Sequence, residues 1–183
     1  MILRDLGDDE AQYRILTPSW AHSPTSGAGA ARKGGRFNRA GLEALYLSQS
    51  EETALAEYRQ HALLLKPGII TTFLVSRLRV VDFSAGYTAD VWDPIWADYA
   101  CNWRQLAFDE GIEPPSWVLG DLALDASAAG ILFPSTVHAG GVNLVLFNSS
   151  TLSADALRVH DPDGQLPRDN RSWIPSQKRD LES

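Results

Sequence analysis

Four cations, Arg32, Lys33, Arg36 and Arg39, lie among and just after Gly27, Gly29, Gly34 and Gly35 in a chain whose net charge is negative. Glycines leave backbone N–H groups open to close approach and reach positive φ at little steric cost, so this loop is a local positive spot that fits a phosphate or diphosphate. A carboxylate follows at Glu57. Ser50 is placed to cap a helix, Glu51 and Glu52 occupy its first turn, and Ala54, Leu55, Tyr58, Ala62 and Leu65 form its apolar stripe. At roughly 100° per residue, Glu57 falls about 100° from the centre of that stripe, at the edge of the face, where a carboxylate can face a cleft. Arg14 sits in an early strand candidate, where it would either help hold a substrate phosphate or pair with an acid at the surface. Ser135 follows a late strand candidate, at a point from which a functional side chain can project.

Two standard phosphate loops are excluded. Gly27 and Gly29 open a G-x-G, but Arg32 stands where the dinucleotide fingerprint needs its third glycine, and no clear strand leads into the loop. Gly29 to Gly34 has the spacing of a Walker loop, yet Gly35 and Arg36 occupy the positions of its Lys and Ser/Thr.

The elements that must position these residues can be read from pattern and punctuation. Tyr13 to Leu16 reads as a first strand, followed by a Pro, Ser and Gly-rich connection from Thr17 to Gly35. Leu42 to Leu47 reads as a buried strand with Tyr46 near its end. After the Ser50 helix, Lys66, Pro67 and Gly68 give a stop signal, and Ile69 to Val75 and Leu78 to Phe83 read as strands paired through a tight connection at Ser76 and Arg77. Trp92, Trp96, Tyr99, Trp103 and Leu106 recur at spacings of four and three, which predicts one amphipathic helix ending near Gly111, its aromatic stripe in the core. Cys101 beside it reads as an inert structural thiol. Ser116 to Ala129 reads as a further helix ended by Gly130. Ile131 to Phe133 and Val142 to Phe147 read as strands around a Pro134 to Gly141 turn, and Ala156 to His160 as the last strand. Residues 1–160 are expected to form one folded domain and 161–183, which lack periodicity, a poorly ordered tail. The expected class is a single α+β domain with a mixed or antiparallel β core and flanking helices.

The ordered set G-x-G-A, GGRFN, YLS, ALAE, FPS and GG-x-NLVLF, spread between Arg14 and Phe147, resembles the RES domain, the toxin half of bacterial RES/Xre toxin–antitoxin systems. That resemblance implies a fold like that of the ADP-ribosyltransferase toxins, NAD as substrate, and active-site positions at Arg36, Tyr46, Glu57 and Ser135. Glu57 would then stabilise the charge developing on the ribose, and Tyr46 would pack on nicotinamide or ribose. Arg36 would clamp the diphosphate with Arg14, Gly34 and Gly35 nearby, and Ser135 would orient Glu57 or the nicotinamide end. His61 and His138 read as structural or surface histidines, and Asn143 as a turn or strand-start residue.

Length and composition bound the alternatives. The 183 residues, 44% hydrophobic, suffice for one well-buried domain. Sixteen basic against 23 acidic residues argue against broad nucleic-acid binding. One cysteine and four scattered histidines suggest neither an internal disulfide nor a structural metal. No apolar run approaches the ~20 residues of a membrane span, and Met1 to Glu10 carries charge where a signal peptide would be apolar, so a cytoplasmic location is expected. No bound cofactor is expected, NAD being substrate. The resemblance implies an Xre-like antitoxin as partner, with no DNA contact by this chain itself. Alternatives are ADP-ribosyl transfer to a protein target, and a non-catalytic nucleotide or RNA-binding module using the glycine loop.

Overall fold

The computed structural model describes residues 1–60 and 64–171. Eight strands form one sheet: β1 (Leu3–Asp5), β2 (Glu10–Leu16), β3 (Ala44–Ser48), β4 (Ile69–Val75), β5 (Arg79–Asp82), β6 (Gly130–Pro134), β7 (Val142–Phe147) and β8 (Leu157–Val159). Their order across the sheet is β1-β5-β6-β7-β3-β2-β4-β8, with every pairing antiparallel except β5 with β6. The expected class is therefore observed.

The sheet must curl. Val75 ends β4 and Arg79 begins β5, so residues 76–78 alone join two strands with β2, β3, β7 and β6 between them. A flat sheet would set those strands about 24 Å apart at ~4.8 Å per step, farther than about 14 Å of extended chain can reach. Curling brings the two sides together, and the junction is stitched from both: Arg77 N–H donates to Gly7 O and Ser76 N–H to Ala156 O, at 3.1 and 2.9 Å.

Curling also buries both faces, which explains the unbroken apolar runs of the central strands. Successive side chains point to opposite sides, so Leu45, Leu47, Leu132, Leu144 and Leu146 fill the inside of the curl with Phe73, Val75, Val80 and Leu157. Val81, Ile131, Phe133, Val145 and Phe147 face outward, where Phe37, Trp92, Trp96 and two residues of α3 (Pro115–Asp125), Leu119 and Ala123, cover them. Each large side chain so buried is worth about 1.5–3 kcal/mol.

The helix after β3 forms as expected: α2 (Glu51–Arg59) is capped by Ser50, whose Oγ accepts from Thr53 N–H at 3.2 Å. It stops at Arg59, and Leu65 is exposed and outside its stripe. His61 and Ala62 lie outside the described residues.

Other expectations are corrected. β4 and β5 do not pair with each other: β4 lies between β2 and β8, and β5 between β1 and β6. Arg77 takes φ 54°, and the link crosses between strands instead of turning one back on the other. The aromatic segment is not one helix. Asp93 caps a 3-10 helix, Pro94–Ala100, Cys101 is extended, and a six-residue π-helical stretch, Gln105–Glu110, follows. Trp92, Trp96 and Trp103 are nevertheless buried as read. The Thr17 to Gly35 connection contains a short helix, α1 (Ala28–Lys33), and a 3-10 turn at Pro18–Trp20. The helix read over Ser116 to Ala129 ends at Asp125, before Ser127 at φ 57°, and Gly130 opens β6. β8 falls within its expected range. Beyond it, Asp161 accepts from the N–H groups of Gln165 and Leu166, while 172–183 lie outside the described residues.

Candidate active site

A cavity of about 450 Å³ opens over the strands β2 and β3, within the range of small-molecule sites. Arg14 and Tyr46 line its floor, α2 contributes Glu57, and Lys33, Gly34, Gly35 and Arg36 come from the end of α1 and the loop beyond it.

The loop is shaped by close approach. Gly34 ends α1 at φ 76°, a conformation that favours glycine, and Gly35 lies so near the floor that a Cβ there would come within 2.5 Å of both Tyr46 Oη and Asn38 Oδ1. Phe37 then plunges fully into the outer core. Asn38 locks the turn: its Nδ2 donates to the carbonyls of Ala30, Arg39 and Leu42, and its Oδ1 accepts from Tyr46 Oη at 2.8 Å. Tyr46 Oη also accepts from Phe37 N–H at 3.0 Å. Burial pushes the Tyr46 phenol well above the usual tyrosine range, with the Phe37 N–H and Arg36 opposing, so it stays neutral.

Arg36 is pinned from one side only. Its Nη1 donates to Tyr99 O at 2.8 Å and Cys101 O at 3.1 Å, the carbonyls exposed where the aromatic segment breaks. Its Nε and Nη2 have no hydrogen-bond partner among the described residues. Desolvation lowers the affinity of Arg36 for its proton, as it does that of Arg14, which has no ion-pair partner among the described residues. Two desolvated guanidiniums without carboxylates favour an anion between or beside them.

Glu57 faces the cleft from the edge of α2. Its Oε1 accepts two hydrogen bonds, from Ser135 Oγ at 2.8 Å and Asn143 Nδ2 at 2.6 Å. Ser135 follows β6, and its Oγ also accepts from the N–H groups of Val137 and His138, which fixes the turn. Asn143 lies on β7 opposite Ser48 of β3, and Ser48 Oγ donates to Asn143 Oδ1 at 2.7 Å. That bond orients the amide, leaving its Nδ2 directed at Glu57. Glu57 is the one carboxylate lining the cavity among the described residues, against Arg14, Lys33, Arg36 and Arg104.

Arg14, Gly34, Gly35, Arg36, Tyr46 and Glu57 are thus gathered around one cavity, with Ser135 bonded to Glu57 behind it. Arg39 departs from the expected phosphate spot: it pairs with Glu113 and Asp121 and lies 5.9 Å from the Trp117 ring. His138 Nδ1 is 2.8 Å from Thr53 Oγ1 and is absent from the cavity wall. Asn143 is a strand-start residue as read, but its bond to Glu57 was not foreseen, although it belongs to the same NLVLF run. Trp103, Arg104 and Phe108 also line the cavity, a position that a helical stripe packed into the core did not suggest. Cys101 Sγ is 3.4 Å from Ser116 Oγ. Among the described residues no group of His, Cys, Asp or Glu could hold a metal, and no helix is long and apolar enough to cross a membrane.

The curled mixed sheet, its outer helices and a cationic cleft with, among the described residues, one oriented carboxylate define a single-domain α+β protein with a cavity of small-molecule size. The chain belongs to the RES domain family, whose model matches residues 11–169. It is similar in fold to a chain of the crystal structure of the M. tuberculosis MbcT–MbcA toxin–antitoxin complex, with a TM-score of 0.61 and 23% identity over 86% of this chain and 84% of that one. No curated protein sequence matches it significantly.

Proposed function

We propose that this chain cleaves the nicotinamide–ribose bond of NAD and acts as the toxin of a toxin–antitoxin pair. The observation that carries the reading is Glu57, the one carboxylate that lines the cleft among the described residues, held by Ser135 and Asn143 among several cations. Hydrolysis of an ordinary glycoside uses two carboxyl groups, one of which protonates the departing oxygen. Nicotinamide is already cationic in NAD and departs neutral, so it needs no proton donor. One carboxylate then suffices, placed to stabilise the positive charge that grows on the ribose, while Arg36 and Arg14 hold the diphosphate and Tyr46 packs beside the ribose or nicotinamide. Ser135 and Asn143 keep the Glu57 carboxylate from turning away.

Free nicotinamide released from NAD by purified protein tests the reading. Glu57→Gln can still present an oxygen to both donors, so it should fold and bind NAD while turnover falls at least ~100-fold. Near-normal turnover in that variant would sink the assignment. Labelled NAD, followed with and without phosphate and then with cell lysate, identifies the acceptor; label in a protein band in place of free ADP-ribose products would make the enzyme a transferase.

A protein that consumes NAD needs restraint in its own host. The toxin–antitoxin complex with the similar fold supports an antitoxin partner for this chain; the resemblance to RES/Xre systems implies that it is Xre-like, and covering the cleft is how it would restrain the enzyme. A purified complex that consumed NAD at the rate of the free chain would contradict that role.

A further inference from the structure

One wall of the cavity has no part in the chemistry above. Trp103, Arg104 and Phe108 all line it, yet they differ sharply in burial. Trp103 is 5% exposed and fixed in the protein, whereas Phe108 is 60% exposed and stands edge-on to the Trp103 ring with centroids 5.9 Å apart. Arg104 lays its guanidinium 4.4 Å from the centroid of the same indole and has no ion-pair partner among the described residues. A single exposed phenylalanine needs no explanation. One that lines a cavity, backed by a buried indole and flanked by an unpaired guanidinium, presents a stacking surface for a flat aromatic ligand group.

The backbone is built to display it. Phe108 lies in the π-helical stretch, a rare geometry frequently found at functional sites. Asn102 Nδ2 donates to Gln105 Oε1 at 3.1 Å and Gln105 Nε2 to Glu110 Oε1 at 2.7 Å, pinning the stretch at both ends. Trp103 N–H donates to Cys101 O, the same carbonyl that accepts from Arg36 Nη1, so this wall starts two residues from the guanidinium assigned to the diphosphate.

We propose that Phe108, supported by Trp103 and Arg104, is the platform on which the adenine base of the dinucleotide stacks, so that the cleft recognises that end by its π-face and not by the hydrogen-bonding edge of the base. This rests on the proposed NAD substrate. Stacking is tolerant of base identity and is lost with the aromatic ring.

The test compares NAD with its hypoxanthine analogue, in which the exocyclic amine of adenine is replaced by oxygen. The wild type should use the two with kcat/KM within about threefold of each other. Phe108→Ala should raise KM for both alike, roughly tenfold, through lost stacking and with little change in kcat, and Phe108→Tyr should restore the wild-type KM. A wild type that rejects the hypoxanthine dinucleotide by a hundredfold would show edge recognition and overturn the platform, as would an unchanged KM in Phe108→Ala. If the wild type releases no nicotinamide from either compound, the NAD reading fails by itself, and ADP titrated by calorimetry then judges the platform separately. Weaker ADP binding by Phe108→Ala than by wild type would sustain it; equal or undetectable binding in both would overturn it.

Discussion

Replacing Asn143 by leucine tests whether the Glu57 carboxylate acts through its orientation. Asn143 is only 5% exposed, and leucine fills a similar volume without a donor or acceptor. Two bonds disappear: the 2.6 Å bond from Nδ2 to Glu57 Oε1 and the 2.7 Å bond from Ser48 Oγ to Oδ1. A hydrogen bond to a charged group is worth about 1.5–3 kcal/mol, which corresponds to roughly 10- to 150-fold in rate if it is expressed in the transition state. The loss should appear in kcat at saturating NAD, with KM little changed, because the role proposed for Glu57 is to meet charge that exists only as the ribosyl cation forms. Ser48→Ala, which removes only the group that orients the amide, should fall well short of that loss. The unpaired Ser48 hydroxyl in Asn143→Leu should also lower stability by about 1 kcal/mol, visible as a small drop in melting temperature. A folded Asn143→Leu protein with kcat within threefold of wild type would refute the claim that this amide holds the working carboxylate.

Tyr46→Phe strips the partners from Phe37 N–H and Asn38 Oδ1, at a cost of about 1–3 kcal/mol, so the melting temperature should fall by roughly 2 to 10 °C. Because burial raises the Tyr46 phenol above its unfolded value, its contribution is complete below the ordinary tyrosine range and is lost as pH rises through the folded value; the stability gap between wild type and variant should therefore narrow only in strong alkali. Arg39→Ala should leave NAD turnover at the wild-type level, since Arg39 pairs with Glu113 and Asp121 and does not line the cavity; a marked rise in KM would return it to the phosphate site. Glu43 accepts from Gly27 N–H at 2.9 Å and from both donors of Ser150; burial alone would raise its carboxyl, but these bonds win and hold it below the usual carboxylate range. A depressed folded value stabilises above the unfolded one and is lost as pH falls through it, so the melting temperatures of wild type and Glu43→Gln should converge below about pH 4.

What could be read from the chain was local. The runs that became β3, β6 and β7 are continuously apolar because both faces are buried, and Ser50 with two following glutamates marked the start of α2 and so the direction of Glu57. Partners distant along the chain left no such mark. β4 and β5 are adjacent in sequence and looked like a hairpin, but each finds its neighbours elsewhere, and only the curl of the whole sheet explains the short link. The aromatic spacing of four and three mimicked one helix. It gave way where Arg36, more than 60 residues earlier, took the carbonyls of Tyr99 and Cys101, and where Pro94 and extended Cys101 divided the segment. Asn143 and Glu57 are 86 residues apart, and nothing local to either announces the bond.

The position of β7 has a consequence for the making of the protein. It is the seventh strand in sequence yet lies between β3 and β6 at the middle of the sheet. Until residues 142–147 emerge from the ribosome, β3 and β6 cannot be joined, and the interior of the curl lacks Leu144 and Leu146. Ser135 and Asn143 arrive in the same late portion, so every chain broken off before residue 143 lacks one or both groups that hold Glu57. If the chain consumes NAD as proposed, the carboxylate would be held for work only once residue 143 has been made, and amino-terminal fragments that stop short of it would be harmless to the cell that made them.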